Sequence, residues 1–404
     1  MRFQWSFAAL CVFSACPLLA QPDSREQEIQ QQRQQKAKSL KDDPVSGVES
    51  GLAYIQREKI LERITAGIGG LRLKLGGLAT GSGFAIGPEY FRRDLAGGNL
   101  ILRASAASSF RAWQLYDFQL TAPRVAGQRV KLDFLAQHRN FAGINYYGPG
   151  PDSQKNGRSN FRLEDTSYDG TAEVSVWKSL KFVGSGGYLE VNTGPGTDNR
   201  FISAERIYGP QQAPGIDRQS DFLRGSIMAQ WDYRDTPGGP KKGGNYYARL
   251  TGYSDRKLGL HDFRRLDLEV QQYIPFFNER RVIALRAKSS TTDVQRGQSV
   301  PFYLQPTLGG SDDLRGFRPF RFYDNNSTVF NAEYRWESFS GLDMAIFVDA
   351  GKVSSGRDRW NLKNLEGSAG FGLRFNVRNA VFMRMDFGFS HEGFQAWIKF
   401  NNVF

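Results

Sequence analysis

Three charged residues in the C-terminal third of the chain have the types and spacing of an ion-paired site. Arg315 lies in the Gly-rich segment Leu308–Phe320, and Glu333 and Asp349 lie in the two alternating apolar–polar segments that follow. Because side chains alternate across a strand, both carboxylates fall on the polar face of their segments. A guanidinium is planar and permanently charged, and it can bond two carboxylates at once. The sequence therefore predicts that Arg315 reaches two acidic side chains on neighbouring strands.

The residues around Arg315 suit a tightly folded loop. Glycine adopts backbone angles that are closed to other residues, so a Gly-rich segment can turn sharply and direct one side chain. An aromatic ring on the polar face of the Asp349 segment could pack on the guanidinium. The predicted loop site comprises Gly309, Gly310, Arg315, Gly316 and Phe317, and its partners on the strands comprise Glu333, Phe347, Asp349 and Gly351.

Other side chains that could do chemistry are sparse. The three histidines, His138, His261 and His391, have no metal-ligand spacing to one another or to cysteine. His391 adjoins Glu392 near the end of a predicted strand, but no serine nucleophile motif accompanies them. We therefore expect no catalytic residues, no metal site and no cofactor, and we do not expect an enzyme.

Residues 1–20 have the features of a secretory signal peptide. Arg2 supplies a positive charge, Phe7–Ala20 is an apolar run, and we expect cleavage before Gln21. An alternative is a lipid anchor at Cys16, because residues 13–16 loosely resemble a lipobox. Cleavage before Gln21 removes both cysteines of the chain, so the exported protein would fold without disulfides.

The overall charge and hydropathy restrict the class of protein. The formal net charge is +12 and the mean hydropathy is −0.48. After residue 20 no apolar run approaches the roughly 18–20 residues of a membrane helix. An exported chain does not meet nucleic acid, so the expected counterparts of the positive charge are anionic lipid headgroups or anionic solutes. Basic loops that are merely solvated are the alternative.

From residue 65 onward the sequence has the alternating apolar and polar pattern of a membrane β-barrel. Asn379–Phe389, for example, alternates apolar residues with Arg384 and Asp386, as a strand between lipid and lumen does. About sixteen such segments follow one another, with short and long connections in alternation. They span approximately 65–75, 80–91, 98–110, 112–122, 127–140, 162–177, 179–192, 220–235, 243–257, 262–274, 279–291, 326–339, 341–351, 365–377, 379–389 and 393–404. The predicted fold is all-β, a 16-stranded antiparallel transmembrane barrel over residues 65–404 with the Leu308–Phe320 loop folded into its lumen.

The chain on either side of this region gives two further predictions. Residues 21–64 are a Gln-rich polar segment that ends in an amphipathic helix candidate, Leu52–Ile64, which could plug the barrel or serve as a linker. At the other end Phe404, Phe400 and Ile398 share one face, an ending typical of outer-membrane barrels that the barrel-assembly machinery recognises.

Several basic residues fall on the predicted lumen face. Their charges would either favour anions in the lumen or balance the acidic residues on the same face. They are Arg286, Arg335, Arg374 and Arg384.

Together these motifs resemble the BamA/TamA-like bacterial surface-antigen superfamily of outer-membrane barrels. The resemblance is carried by the GG-x-x-x-LRGF loop Gly309–Phe317, by Glu333 and by the F-x-D-x-G motif Phe347–Gly351. It implies a sixteen-stranded barrel in the outer membrane of a Gram-negative type bacterium, with this loop between the eleventh and twelfth strands. Relatives that assemble or secrete proteins carry periplasmic POTRA modules, for which residues 21–64 are too short.

The expected function is therefore assistance in protein insertion or translocation at the outer membrane by a short form without POTRA modules. The alternatives are an outer-membrane channel or lipid/anion transporter with a basic lumen, and a structural surface antigen. The expected partners are outer-membrane lipids, the barrel-assembly machinery for the protein's own insertion, and a separate periplasmic protein in place of the POTRA modules. Nucleic acid is not expected.

Overall fold

A computed structural model describes residues 67–356, 361–377 and 380–400, all of which belong to one compact unit, Ile55–Phe404. The predicted signal peptide, the Gln-rich segment, the helix candidate Leu52–Ile64 and Phe404 lie outside the described residues. No helix within the described ranges is long and apolar enough to cross a membrane.

Sixteen strands form one antiparallel sheet in which each strand pairs with the next along the chain, so the predicted all-β fold and strand number are confirmed. The sheet curves into a nearly closed barrel. Its strands are β1 Leu71–Gly76, β2 Ala85–Leu95, β3 Leu100–Ser109, β4 Gln114–Val125, β5 Val130–Tyr146, β6 Ser159–Ser175, β7 Leu180–Pro195, β8 Phe222–Asp232, β9 Gly243–Asp255, β10 Phe263–Phe276, β11 Arg281–Val294, β14 Asn326–Phe339, β15 Leu342–Ser354, β16 Glu366–Val377, β17 Ala380–Ser390 and β18 Gly393–Phe400. The two-residue strands β12 Thr307–Leu308 and β13 Phe322–Tyr323 form a separate ribbon within the connection from β11 to β14.

The two faces of the wall differ as the alternation of side chains requires. On β15 Ile346 and Val348 are 52% and 57% exposed, whereas Phe347 and Asp349, which alternate with them, are buried. The exposed face is apolar, which suits a surface that meets lipid, and the buried face carries the charged groups. Glu333 and Asp349 lie on the buried face of adjacent strands, β14 and β15.

Two residues that the sequence alternation places on the lipid side, Leu342 and Val381, are buried. The sequence pattern places Val381 on the lipid side with Met383, but Val381 is buried. The pairing of β16 with β17 shifts register between Phe375 and Asn376, so the two residues on either side of Phe382 are not on the same face. A bulge of this kind adds one residue to one strand and reverses the alternation beyond it.

An apolar cluster joins the ends of the strands at the side of the long connections. Its members come from β5 to β8, β10 and the long loops, with Tyr146 packed edge-on against Tyr323 at 4.9 Å and Phe161 against Phe302 at 4.8 Å between ring centroids. In outer-membrane barrels the long connections face outward and the short turns face the periplasm. We call this set of residues the outer aromatic cluster.

The first and last strands lie at the two ends of the sheet order, and no strand pairing joins them within the described residues. They nevertheless come close, since a Cβ built on Gly76 would lie 3.8 Å from the Cβ of Phe400. Phe400 also packs against Phe84 and Phe382, with ring centroids 5.7 and 5.6 Å apart. We call this boundary between β1 and β18 the seam.

Candidate functional site

Arg315 lies at the centre of the most heavily charged region of the buried face. Its Nε and Nη2 atoms donate to the carboxylate of Asp349 at 3.0 and 2.6 Å, and its backbone N–H donates to the same carboxylate at 3.1 Å. Its Nη1 atom bonds the carboxylate of Glu333. The guanidinium carbon lies 3.5 Å from the ring centroid of Phe347. The donor groups of Arg315 thus bond to carboxylates on two strands, and the flat face of its guanidinium packs on an aromatic ring.

These groups are almost completely removed from solvent. The side chain of Arg315 is 3% exposed and those of Glu333 and Asp349 are 0% exposed. Burial alone would lower the pKa of Arg315, but the charges of Glu333 and Asp349 outweigh it and raise the pKa above its ordinary value. The guanidinium therefore remains charged. Each buried charge of this cluster is stabilised by its oppositely charged partners and would be costly without them.

The arginines predicted to line the lumen take part in the same network. Arg335 donates to Glu333 at 2.7 Å, and Arg374 bridges Glu333 at 3.0 Å and Asp386 at 2.7 Å. Arg384 lies 2.8 Å from Asp386. These cations neutralise carboxylates of the wall, so the region is a packed ion network and not a free basic surface.

Arg286 lies apart from that network but is also engaged. It donates to Glu269 on the adjacent strand at 2.9 Å and to the backbone carbonyl of Asp312 at 2.6 Å. Asp313 lies 3.5 Å from Arg286 and 3.9 Å from Lys288. The predicted basic residues therefore also fix the 308–320 loop to the wall.

Glycine allows the loop backbone to lie directly on the wall at this point. A Cβ on Gly388 of β17 would lie 2.4 Å from the carbonyl oxygen of Arg315, and one on Gly316 would lie 2.6 Å from Ser368. Gly309 and Gly310 adopt φ values of +110° and +105°, which other residues rarely reach. Around them Leu308, Leu314, Phe317, Phe322, Val329 and Val353 form a small buried apolar cluster, and the Cβ missing from Gly351 leaves room for Leu308.

Three further side chains, which the sequence patterns did not single out, contact the loop or its partner Asp349. Asn331 donates to Asp349 at 2.8 Å and to the carbonyl of Asp313 at 2.7 Å. Ser368 donates to Asp349 at 3.2 Å. Trp397 on the last strand donates its indole N–H to the carbonyl of Arg315 at 2.7 Å. Uncharged side chains of this kind become recognisable only when their strands are placed side by side.

The same loop contacts both sides of the seam through Asp312. Thr80, which follows β1, donates to one carboxylate oxygen of Asp312 at 2.5 Å, and Lys399 of β18 pairs with the other. The loop thus joins the connection that follows the first strand to the last strand by side chains. We call the contacts of Asp312 with Thr80 and Lys399 the seam clasp.

A second arginine of the loop region fixes the connections above it. Arg321 pairs with Glu392 in the β17–β18 turn at 2.8 Å and donates to the carbonyl of Ser153 in the β5–β6 connection at 2.6 Å. Its guanidinium carbon lies 4.6 Å from the ring centroid of Tyr147. These contacts bring three connections together beside the outer aromatic cluster.

At the opposite end, the turn between β8 and β9 reaches strands that are remote in the sheet order. Gly238 accepts a hydrogen bond from the backbone N–H of Val381 on β17 at 2.8 Å, and Lys241 lies 3.5 Å from Glu337 on β14. The turn lines a small cavity together with Arg335 and Arg374. We call residues 233–242 the strap.

The remaining predicted residues have simpler surroundings. Ile398 is 60% exposed on the apolar face, whereas Phe400 packs at the seam. His138 contacts Thr166 at 2.9 Å and His391 lies 3.5 Å from Glu366. Within the described part of the chain, no group of three or more histidine, cysteine or acidic residues is placed to hold a metal ion.

Comparison with known families agrees with this geometry. A model of the Omp85 superfamily domain matches residues 94–395. The chain belongs to the Omp85 superfamily. Members of this family are barrels of the Gram-negative outer membrane that act in protein insertion and transport, which gives this chain its location. No curated protein matches the sequence.

Solved structures of Omp85 barrels share the fold. BamA from Haemophilus ducreyi lacking POTRA domains 1–3 matches with a TM-score of 0.63 and 16% identity over 81% of this chain and 69% of its own. CdiB from Escherichia coli matches with a TM-score of 0.55 and 12% identity over 80% of this chain and 60% of its own. At these identities the likeness shows a common architecture.

Proposed function

We propose that this Omp85 barrel assists the insertion or translocation of proteins at the outer membrane by opening at the seam, with the 308–320 loop folded into the lumen as a latch. The family and the fold shared with BamA support the general role. The observation that carries the specific mechanism is the seam clasp. Asp312 joins the β1–β2 connection to β18 by side chains, and no strand ladder joins β1 to β18 within the described residues, so we infer that the seam is the weakest boundary of the wall.

The proposed partners follow from this role. Lipid surrounds the apolar face, and the barrel-assembly machinery would insert the barrel itself. A separate periplasmic protein would deliver clients to the barrel. The ion network of Arg315 is a structural element in this proposal, and the protein promotes movement of a client without catalysing a chemical reaction.

A disulfide across the seam tests the mechanism directly. Cβ atoms of disulfide-bonded cysteines lie about 3.8 Å apart, which is the separation available between positions 76 and 400. The variant Gly76→Cys/Phe400→Cys is expected to abolish activity when oxidised and to regain it on reduction. The reduced form is its own control, because Gly76 has a φ of +141° and cysteine introduces some strain there in both forms.

Activity is measured as the rate at which a urea-unfolded outer-membrane barrel folds into proteoliposomes containing the variant, followed by heat-modifiable mobility. The proposal predicts that the oxidised protein performs no better than empty liposomes. If the oxidised and reduced forms accelerate folding equally, opening at the seam is refuted.

An anion channel is less well supported. Arg286, Arg374 and Arg384 are ion-paired and buried, and the outer aromatic cluster and the strap lie at opposite ends of the barrel. We therefore infer a lumen closed at both ends at rest. Planar-bilayer recording distinguishes the alternatives, since a large steady anion-selective current would favour the channel.

A further inference from the structure

The turn between β10 and β11 has an unusual backbone. Phe277, Asn278 and Glu279 adopt φ values of 49°, 55° and 62°, three consecutive left-handed residues without a glycine. Two other short turns, at residues 96–98 and 126–128, have the same run of positive φ values but include glycine. Left-handed angles bring Cβ close to the following carbonyl, so this turn is more strained than the other two, whose runs contain one and two non-glycine residues. The geometry leaves the Phe277 side chain 69% exposed.

The charges around this turn are unevenly paired. Glu279 lies 4.0 Å from Lys242 and Glu337 lies 3.5 Å from Lys241, both lysines belonging to the strap. Within the described ranges, no carboxylate lies within the 4.0 Å ion-pair distance of the guanidinium of Arg280 or of Arg281, although Arg281 lies 4.9 Å from the ring centroid of Phe277. The local acids are thus neutralised by the strap, and two exposed arginines remain available to an anion.

A cavity of about 820 Å³ lies between the turn and β14. Its lining combines cations with aromatic rings, and consists of Phe277, Asn278, Arg280, Arg281, Trp336 and Glu337. Two guanidinium groups in the lining of one cavity suit the oxygen atoms of a phosphate, because each presents a fork of donors. The exposed ring of Phe277 and the indole of Trp336 suit an apolar group attached to that phosphate.

The position of the cavity identifies the kind of ligand. The turn is short and therefore lies at the periplasmic end of the barrel. On the same strands Ile274, Ile283 and Leu285 are 45%, 38% and 41% exposed and belong to the apolar face. The cavity thus lies at the border between the lipid-facing band and water, where tyrosine and tryptophan are typically found.

We propose that this cavity is a binding site for an anionic glycerophospholipid of the periplasmic leaflet. Arg280 and Arg281 hold its phosphate, while Phe277 and Trp336 lie against its glycerol and first methylene groups. The site would anchor the β10–β11 edge of the wall to the leaflet, and it does not depend on opening of the seam.

Native mass spectrometry of the full-length protein with added phosphatidylglycerol tests the site. We expect Arg280→Gln/Arg281→Gln to bind the lipid at least tenfold more weakly than wild type. The matched control Arg124→Gln/Arg129→Gln removes the same charge from the end of β4 and the β4–β5 turn and should bind as wild type does. Equal binding by both variants, or equal binding of phosphatidylcholine to wild type, would overturn the proposal.

A second measurement does not rely on the folding of the arginine variants. Phosphatidylglycerol brominated on its acyl chains quenches tryptophan fluorescence at close range. The proposal requires that quenching be smaller in Trp336→Phe than in wild type and that brominated phosphatidylcholine show no such difference. Identical quenching of the two proteins by the anionic lipid would contradict it. Heat-modifiable mobility confirms that each barrel is folded.

Discussion

Replacing Arg315 by alanine is the most informative perturbation of the ion network, because its two carboxylate partners are affected differently. Glu333 retains Arg335 and Arg374. Asp349 retains hydrogen bonds from uncharged side chains, and within the described residues Arg315 is its sole cationic partner. The substitution therefore leaves one fully buried carboxylate without a counter-charge.

The magnitude follows from that orphaned charge. Breaking a buried ion pair by removing one partner costs about 3–5 kcal/mol. Loss of the desolvated contact with the Phe347 ring adds up to about 2 kcal/mol. Arg315→Lys keeps the charge but loses the fork that bonds both carboxylates, so we expect a smaller loss, about 1–3 kcal/mol for the hydrogen bonds to charged groups.

Urea titration in phospholipid vesicles with heat-modifiable mobility measures the free energy of unfolding, and limited proteolysis reports on the 308–320 loop. Exposed Arg200, whose side chain is 78% accessible, is the matched control, and its alanine variant should change stability by less than about 0.5 kcal/mol. The decisive comparison is Arg315→Ala/Asp349→Asn. Removing the orphaned charge should recover part of the loss caused by Arg315→Ala.

The reasoning is refuted if the changes that the two substitutions cause in the free energy of unfolding simply add. If Arg315→Ala and Asp349→Asn destabilise independently, the two groups are not coupled in the folded protein. A loop that remains resistant to protease in Arg315→Ala would likewise show that the ion network does not hold it.

Two further predictions concern the fit of the loop and the seam clasp. Gly388→Ala should displace the loop and increase its cleavage by protease, because the new Cβ would meet a loop carbonyl at 2.4 Å, whereas Gly367→Ala, with 3.9 Å to the nearest atom, should not. Asp312→Asn should speed hydrogen exchange of β1 and β18 without altering exchange in β6. Burial would raise the pKa of Asp312, but the charges of Lys399 and Arg384 lower it below its ordinary value. Wild type should therefore keep slow exchange at neutral pH and lose it as the pH falls through this lowered pKa. Equal exchange in both proteins would contradict the clasp.

The strands could be predicted because each is encoded locally. Alternation over about ten residues needs no knowledge of the partner strand, and turn residues separate one run from the next. The predicted segment 326–339 coincides with β14, and 262–274 differs from β10 by one or two residues at each end. The weakest segment, 65–75, overlaps β1 over only five residues, 71–75, because its first half has no regular alternation to define it.

Predictions from local patterns were wrong or incomplete where a residue's surroundings depend on another strand. A bulge in β17 placed Val381 on the buried face, since the position of a bulge depends on the neighbouring strand. The predicted segment 220–235 extends into the strap, but its alternation does not reveal that Gly238 bonds to β17. Contacts of this kind join residues that are more than a hundred positions apart and leave no periodic signal.

The residues of the site show the same difference between local and long-range properties. Arg315 could be placed in a glycine-rich loop, and Glu333 and Asp349 on the same side of adjacent strands, from the chain alone, because residue type and two-residue periodicity are local properties. The contacts of Asp312 with both edges of the barrel and of Trp397 with the loop backbone emerge only from the folded barrel. Those contacts depend on the curvature that brings the first and last strands together, and curvature belongs to the whole sheet.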